Sequence, residues 1–198
     1  MFTGIVEETG AVTAVEDGPE GRRLRVSASF CEDLQHGQSV AVSGACLTVE
    51  DVTSDGEALE VFCSEETLER TYLDGVSVGD RLNLERALPA DGRFDGHFVQ
   101  GHVDGVGEVT AVEQVGDDWT FGFSLPAELT AYVVEKGSIA VDGISLTIAD
   151  LEAAEFEVSV IPATYGSTTL SEKAVGDPVH LEVDVVAKYV ERLLEGYR

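Results

Sequence analysis

Basic residues are scarce in this chain of 198 residues, and their scarcity excludes several classes of partner. Twelve Lys and Arg stand against 38 Asp and Glu, which gives a formal net charge of −26. Nucleic acids and anionic lipid surfaces bind clusters of Lys or Arg, so we expect neither as a partner. The acidic residues are spread over the whole chain, and this indicates a solvated surface adapted to a salt-rich cytosol, where ions screen the self-repulsion.

Cysteines, long apolar runs and cofactor motifs are also few or missing. Cys31, Cys46 and Cys63 show no C-x-x-C spacing, so we expect neither a disulfide framework nor a structural metal. No segment approaches the ~18 apolar residues of a membrane span, and the first residues lack the basic region of a signal peptide. There is no phosphate loop, dinucleotide fingerprint or nucleophile elbow. These features predict a soluble, cytoplasmic protein without a metal or cofactor.

What the chain does contain is an internal duplication. Residues 10–16 (GAVTAVE) return 97 positions later as residues 107–113 (GEVTAVE). Residues 44–49 (GACLTV) return as residues 143–148 (GISLTI), and residues 78–85 (VGDRLNLE) as residues 175–182 (VGDPVHLE). The period is too long for a solenoid repeat, whose units span roughly 20–50 residues. Each half is therefore predicted to be a domain in itself.

Both halves read as short strands separated by turn signals, which predicts an all-β protein made of two small antiparallel barrels. The alternating segments are residues 24–28, 39–42, 47–52, 59–62, 120–125, 139–141, 146–148 and 156–160. Tight turns are expected at Ser43-Gly44, Asp55-Gly56 and Asp142-Gly143. Short helices are expected over residues 127–136 and, in the first half, near residues 31–36. A linker near residues 89–93 places the domains at residues 1–96 and 97–184.

After Asp184 the apolar period changes, and an amphipathic C-terminal helix is predicted over residues 185–198. Its apolar positions are Val186, Val190, Leu193, Leu194 and Tyr197. The first half has no equivalent of this helix. Two interpretations stay open: a helix folded back on its own barrel, or a helix that joins subunits.

The two copies differ at positions with chemical potential, and most of the polar residues lie in the second copy. The differing pairs are Cys46 and Ser145, Ile5 and His102, and Ala87 and Asp184. His97 and Lys136 also have no like partner in the first half. Each of these residues also has a simpler interpretation. The histidines could be structural, Cys46 a small core residue, Asp184 a helix N-cap and Lys136 a solvated charge.

These residues closely resemble riboflavin synthase of the trimeric α-type, which carries two lumazine-binding repeats. The resemblance covers essentially the whole chain and rests on four blocks in sequence order. They are residues 1–7 (MFTGIVE), residues 44–49 (GACLTV), residues 101–104 (GHVD) and residues 142–147 (DGISLT).

The resemblance implies two tandem six-stranded Greek-key β-barrels plus a C-terminal α-helix, with three such helices packed together in a homotrimer. It also implies a dismutation of two molecules of 6,7-dimethyl-8-ribityllumazine into riboflavin and 5-amino-6-ribitylamino-2,4(1H,3H)-pyrimidinedione, without a metal or cofactor. In the family the reaction occurs where the N-terminal barrel of one subunit meets the C-terminal barrel of its neighbour.

The resemblance also assigns site residues. His102 is expected to move protons because its side chain suits neutral pH. Ser145 and Thr147 are expected to donate to the ring, with Cys46 as their counterpart in the other barrel, and Asp184 to orient a partner or a water; the catalytic set is thus Cys46, His102, Ser145 and Asp184. The first binding group comprises Gly4, Ile5, Val6, Cys46, Leu47, Thr48, Phe62, Cys63, Ser64, Glu65, Glu66 and Thr67. The second comprises His97, Gly101, His102, Val103, Lys136, Ser145, Leu146, Thr147, Val160, Ile161, Pro162, Ala163, Thr164 and Tyr165.

One departure from the family pattern concerns the second group. The family usually carries Pro-Glu-Thr there, whereas this chain has Pro162-Ala163-Thr164, so the carboxylate that Glu66 supplies in the first copy is missing from the second. A carrier that binds lumazine or flavin without turnover is the main alternative function, and an acidic oligomer with only a binding role is another. The polar residues kept in the second half favour the enzyme.

Overall fold

The computed structural model describes residues 1–194 and contains two closed six-stranded antiparallel barrels. The first barrel comprises β1 (Glu8–Gly18), β2 (Gly21–Ser27), β3 (Ser39–Val42), β4 (Ala45–Val52), β5 (Ala58–Ser64) and β6 (Arg81–Arg86). The second comprises β7 (Gly105–Val115), β8 (Asp118–Ser124), β9 (Ser138–Val141), β10 (Ile144–Leu151), β11 (Glu155–Val160) and β12 (Pro178–Val183). The predicted all-β, two-barrel fold is confirmed.

The two barrels share one topology. In the first the strand order is β1-β2-β5-β4-β3-β6, and the second repeats it with β7 to β12. Because β3, β4 and β5 are joined by hairpins and β6 returns beside β3, the arrangement is a Greek key. Even the irregularities repeat: register shifts at Val12/Ala14 and Val49/Asp51 reappear at Val109/Ala111 and Ile148/Asp150. The duplication read from the sequence is therefore a duplication of backbone geometry.

Two of the predicted tight turns, at Ser43-Gly44 and Asp142-Gly143, are present, whereas Asp55 and Gly56 lie in a five-residue loop between β4 and β5. Ser43 and Gly44 have φ of 43° and 83°, and Asp142 and Gly143 have φ of 47° and 77°. Positive φ at both central residues matches the type I′ turn that suits a two-residue hairpin. The two turns touch, since a Cβ on Gly44 would lie 2.6 Å from the nitrogen of Gly143. The barrels therefore meet at the turns that lead into β4 and β10.

The predicted short helices are wrong in extent. Only Ala127–Tyr132 and Cys31–Asp33 are helical, and both are 3₁₀ segments. The segment Ala127–Tyr132 does not continue to Lys136 because Val133 is extended, with φ of −112° and ψ of 145°. Two helices that the strand pattern did not predict are α1 (Glu65–Arg70) and α2 (Pro162–Ser167), each following the fifth strand of its barrel.

The C-terminal helix α3 spans Val185–Leu194, in agreement with the change of period. Residues 195–198 of the predicted element, Tyr197 among them, lie outside the described residues. Lys188 Nζ lies 2.6 Å from Asp104 Oδ1 and ties the helix to the second barrel. The apolar positions Val186, Val190 and Leu193 are at least half exposed. Between residues 1 and 194, no helix is long and apolar enough to cross a membrane.

Each barrel encloses its own apolar core, and a third, small cluster lies between them. That cluster joins Phe2 and Val99 with Ala41 and Ala140, and Cys46 packs against it. Phe2 and Val99 also form an antiparallel bridge. Because each residue of the first copy meets its counterpart from the second, the halves are related by an approximate twofold axis through this cluster.

Candidate functional site

The segment that precedes each barrel lies against the opposite barrel. Ser145 N donates to Gly4 O at 2.7 Å, and Cys46 N donates to Gly101 O at 2.8 Å. Val103 packs on the first core. The sequence predicts residues 4–6 in one pocket with Cys46 and residues 101–103 in the other with Ser145, and this pairing is wrong. Residues 4–6 accompany the second barrel and residues 101–103 the first, because the chain crosses at the twofold axis, which a linear repeat does not show.

Two glycines permit this crossing. Gly4 and Gly101 have φ of 76° and 79°, and a Cβ on either would lie 2.7 Å or 2.6 Å from the Cβ of Ser145 or Cys46. Real Cβ atoms do not approach that closely, and L-residues with side chains rarely adopt such φ values. The glycines therefore set how near the crossing segment comes to the two candidate catalytic positions.

Two buried glutamates hold the crossing segments by their backbone. Glu85 on β6 accepts from Thr3 N at 2.7 Å and Gly4 N at 3.0 Å. Glu182 on β12 accepts from the amides of Gln100, Gly101 and His102 at 2.6, 2.8 and 3.0 Å. Burial raises the pKa of both carboxyl groups, while the amide donors act in the opposite direction. The sequence reasoning missed these residues, although both end the third repeated block.

One cluster of candidate side chains, around Ser145, lies beside the second barrel. His97 Nδ1 is 2.7 Å from Ser145 Oγ, and the imidazole is only 7% exposed. Burial lowers the pKa of His97, and the nearby Asp184 carboxylate partly offsets that effect. Asp184 Oδ1 also accepts from Val186 N at 2.9 Å, so the N-cap interpretation is confirmed. His97, Ser145 and Asp184 thus form one cluster with a neutral imidazole at its centre.

The other group of candidate side chains, around Cys46, lines an open cavity of about 250 Å³ beside the first barrel. Cys46 from β4, the exposed His102 and residues of α1 line this cavity together. Polar groups of α1 and its N-cap face the same space: Ser64, Glu66, Thr67 and Arg70. The cavity therefore combines a thiol, an imidazole and several donors and acceptors suited to a polyhydroxyl chain.

The helix α2 occupies the equivalent place in the second barrel with different chemistry. Where α1 and its N-cap offer Ser64 and Glu66, α2 offers Ile161 and Ala163. Thr164 is retained. Tyr165 stacks on Trp119 with ring centroids 3.8 Å apart. The two copies therefore present unlike walls at the position that closes each pocket.

Several predicted site residues lie apart from both groups. The side chains of Cys63, Val160, Leu47 and Leu146 are buried in the barrel cores, so a ligand could reach only their backbone. Burial raises the pKa of Cys63 to about 12. Lys136 is exposed, and its Nζ donates to Ala149 O. The remaining ones are Thr48 and Thr147, exposed on β4 and β10, Glu65 and Pro162, exposed on α1 and α2, and Phe62, whose ring lies under the Arg23 guanidinium.

Metal ligands are not grouped in the part of the chain that the structure describes. No set of three or more His, Cys, Asp or Glu residues between positions 1 and 194 is arranged to hold an ion. The imidazole, hydroxyl, thiol and carboxylate side chains of both groups can transfer protons and form hydrogen bonds.

Comparisons with known proteins agree with this geometry. The model of the lumazine binding domain matches twice, at residues 3–87 and 100–184. A riboflavin synthase of Mycobacterium bovis is 50% identical over 99% of both chains, and one of Bacillus subtilis is 42% identical over 98% of this chain and 90% of the relative. Crystal structures of LumP complexed with 6,7-dimethyl-8-(1'-D-ribityl)lumazine and with riboflavin superpose with TM-scores of 0.83 and 0.85. They cover 92% of this chain and 99% of LumP, at 19% and 21% identity.

The LumP likeness shows a shared fold, whereas the identity to the synthases extends along nearly all of the chain. Both repeats carry the domain match, and both lie on the barrels described above. The chain belongs to the riboflavin synthase family, with a lumazine-binding domain in each half.

Proposed function

We propose that this protein catalyses the last step of riboflavin biosynthesis, the dismutation of two 6,7-dimethyl-8-ribityllumazine molecules. One molecule gives up a four-carbon unit and the other becomes riboflavin, leaving 5-amino-6-ribitylamino-2,4(1H,3H)-pyrimidinedione. The observation that carries the proposal is the pair of equivalent sites with unlike side chains, Cys46 with His102 and Ser145 with His97. Two identical substrates with different fates need two related pockets that are not identical.

Proton removal from the 7-methyl group of one lumazine is assigned to the cluster of His97, Ser145 and Asp184. His97 is neutral because burial lowers its pKa, so it can accept a proton near neutral pH. Ser145 fixes the orientation of the His97 imidazole through Nδ1, and Asp184 stabilises the positive charge that develops on this imidazole. Because Nε2 of His97 is buried, the proton would reach the imidazole through the Ser145 hydroxyl at Nδ1.

Ring alignment supplies the other part of catalysis. A reacting carbon must meet the second ring at contact distance, and holding two rings in that arrangement can replace several kcal/mol of barrier. The α1 wall, with Ser64, Glu66 and Thr67, is suited to hold the ribityl chain of one substrate. The second pocket lacks the carboxylate, so we expect it to hold its ribityl chain more weakly.

Assembly as a homotrimer would bring the two kinds of pocket together. Within one chain the cavity at Cys46 does not include His97 or Ser145. The apolar face of α3 is exposed on an otherwise highly charged molecule, which supports its role as a subunit contact. We further propose that the trimer works in the cytoplasm, with neither nucleic acid nor membrane as a partner.

A carrier that binds lumazine without turnover is the second candidate, and the fold shared with LumP is the observation in its favour. Such a protein needs one competent pocket only. The chain keeps polar groups at both positions, Cys46 and Ser145, which favours the enzyme.

The test is to mix the purified chain with 6,7-dimethyl-8-ribityllumazine in molar salt, with a chelator and no added cofactor, and to follow riboflavin absorbance. Catalytic formation of one riboflavin per two lumazines consumed is expected. A bound lumazine with a shifted spectrum and no riboflavin would identify a carrier instead. Activity that depends on an added metal or cofactor would contradict the proposed chemistry.

A further inference from the structure

A buried histidine at the junction of the barrels has no role in the reaction proposed above. His180 lies on β12, only 1% exposed, at the position that Asn83 occupies on β6. The equivalence follows from the third repeated block, in which Leu84-Glu85 matches Leu181-Glu182. The duplication has therefore placed an imidazole where the other copy has a carboxamide.

Asn83 joins the two barrels with both ends of its amide. Its Nδ2 donates to Asp142 O at 2.9 Å, and its Oδ1 accepts from Thr169 N at 2.9 Å. Both partners belong to the second barrel. An amide suits this place because it is a donor and an acceptor at once and carries no charge.

His180 makes the mirror pair of bonds to the first barrel. Its Nδ1 lies 2.7 Å from Ser43 O, and its Nε2 accepts from Tyr72 N at 2.9 Å. A carbonyl can only accept and an amide N–H can only donate, so Nδ1 carries the hydrogen and Nε2 is bare. The contacts thus define a neutral imidazole in one tautomer, which reproduces the amide of Asn83.

The groups around His180 decide how it responds to a proton. Asp142 on the adjacent turn, with Oδ1 3.9 Å from Nδ1, favours the charged form, whereas Lys173 opposes it. The Tyr72 ring stacks on the imidazole at 3.8 Å, and Lys173 lies over the same ring. Burial is the largest effect and lowers the pKa of His180 from its ordinary value of 6.5. A proton on Nε2 would also face the N–H of Tyr72, two donors in contact.

The hydrogen bonds of His180 hold the two turns that precede Cys46 and Ser145 in the sequence. Ser43 begins the turn that leads to Cys46, and Asp142 begins the turn that leads to Ser145. His180 contacts both turns: its ring Nδ1–H donates to Ser43 O, and its backbone N–H donates to Asp142 Oδ1 at 2.8 Å. The turns also touch each other at Gly44 and Gly143.

We propose that His180 is a positioning residue: as a neutral imidazole it holds the two turns in register, and its protonation loosens the junction and misaligns both sites. The consequence for activity rests on the proposed function, whereas the consequence for stability does not. The unfolded chain binds a proton below pH 6.5 that the folded junction resists. Stability from His180 is therefore complete above that pH and is lost as the pH falls below it.

The test compares the wild type with His180→Asn, the residue that the first copy uses. Urea unfolding and riboflavin formation are both measured from pH 8 to pH 5 in constant molar salt. The unfolding constant of the wild type should rise relative to the variant by up to about tenfold per pH unit below 6.5. The variant should match wild-type activity at pH 8 and keep more of it at pH 5.5. If the wild type and the variant lost stability and activity in parallel as the pH falls, the proposal would be overturned.

Two further measurements cover a variant that folds poorly. Asn83→His should add a second imidazole to the junction and steepen the acid-side loss of stability, and an unchanged slope would count against the proposal. In the wild type, ¹⁵N NMR should show His180 with a bare Nε2 well below pH 6.5, and an Nε2–H tautomer would refute the assignment. If riboflavin never forms while the unfolding curves diverge as expected, the proposed function fails and the junction proposal stands.

Discussion

At the scale of single residues, the two copies place different atoms at one backbone position. Cys46 and Ser145 each follow a type I′ turn, and each donates its amide to a glycine carbonyl of the crossing segment. Only Ser145 has a buried imidazole within hydrogen-bonding distance. The same fold therefore yields a thiol near an exposed histidine in one half and a hydroxyl bound to a buried histidine in the other.

Removing the Ser145 hydroxyl should affect catalysis more than stability. In Ser145→Ala, His97 loses its Nδ1 partner while its Nε2 already has none. An unsatisfied buried group costs about 1–3 kcal/mol, and loss of an aligned base lowers kcat by about 100-fold or more. Urea unfolding and single-turnover kinetics measure the two effects. Ser159→Ala, on an exposed strand position, is the control, and an equal loss of activity in both variants would contradict the prediction.

The crossing glycines give a second prediction at this scale. Gly101→Ala should destabilise the fold through two effects: the left-handed φ, which costs about 1–2 kcal/mol, and the clash with Cys46. Gly116→Ala isolates the first effect, because Gly116 has φ of 65° and open space around its Cβ position. Thermal unfolding of both variants, together with lumazine binding, is the measurement. Equal melting temperatures would show that the close approach to Cys46 contributes nothing.

At the scale of elements, α1 and α2 occupy equivalent places in the two barrels but carry different side chains. Glu66 on α1 faces the cavity at Cys46, whereas the matching residue on α2 is Ala163. Glu66→Ala should weaken lumazine binding in the first pocket by about ten- to a hundredfold, the usual effect of losing a hydrogen bond to a charged group.

Titration with lumazine measures this affinity, and the exposed Glu69→Ala on the same helix is the control. Trp119 is the single tryptophan and stacks on Tyr165 of α2, so its fluorescence reports on the second pocket. Glu66→Ala should leave that signal unchanged. If Glu66→Ala instead changed the Trp119 fluorescence response to lumazine and left the affinity of the first pocket intact, the assignment of α1 to the first pocket would be wrong.

The elements also show how far the sequence predicts this molecule. Periodicity and turn residues identified eight of the strands and the two type I′ turns, because alternation and positive-φ residues are local signals. The resemblance supplied the six-stranded count. The exchange of residues 4–6 and 101–103 between barrels was missed because it depends on Phe2 meeting Val99 across the twofold axis. The buried glutamates were missed because a repeated Glu does not reveal its partners, which here are mainly backbone amides.

At the scale of the whole molecule, the net charge of −26 must be compatible with association of subunits. The acidic residues lie on both barrels, so packing several chains together concentrates like charge. In the proposed trimer, burial of the exposed apolar face of α3 would oppose this repulsion. The apolar contribution does not depend on screening, whereas the repulsion does. Salt concentration should therefore decide which of the two prevails.

We expect the proposed homotrimer to dissociate and riboflavin formation to fall when the protein is diluted from molar salt into about 10 mM salt. The Debye length grows from about 3 Å to about 30 Å over that range, so charges on neighbouring subunits cease to be screened from one another. Sedimentation velocity and activity should fall together, and both should recover when salt is restored. Repeating the dilution with sucrose at matched osmolarity separates ionic screening from general stabilisation of the compact state. Full activity of an intact trimer at low salt would show that the acidic surface is not an adaptation to salt.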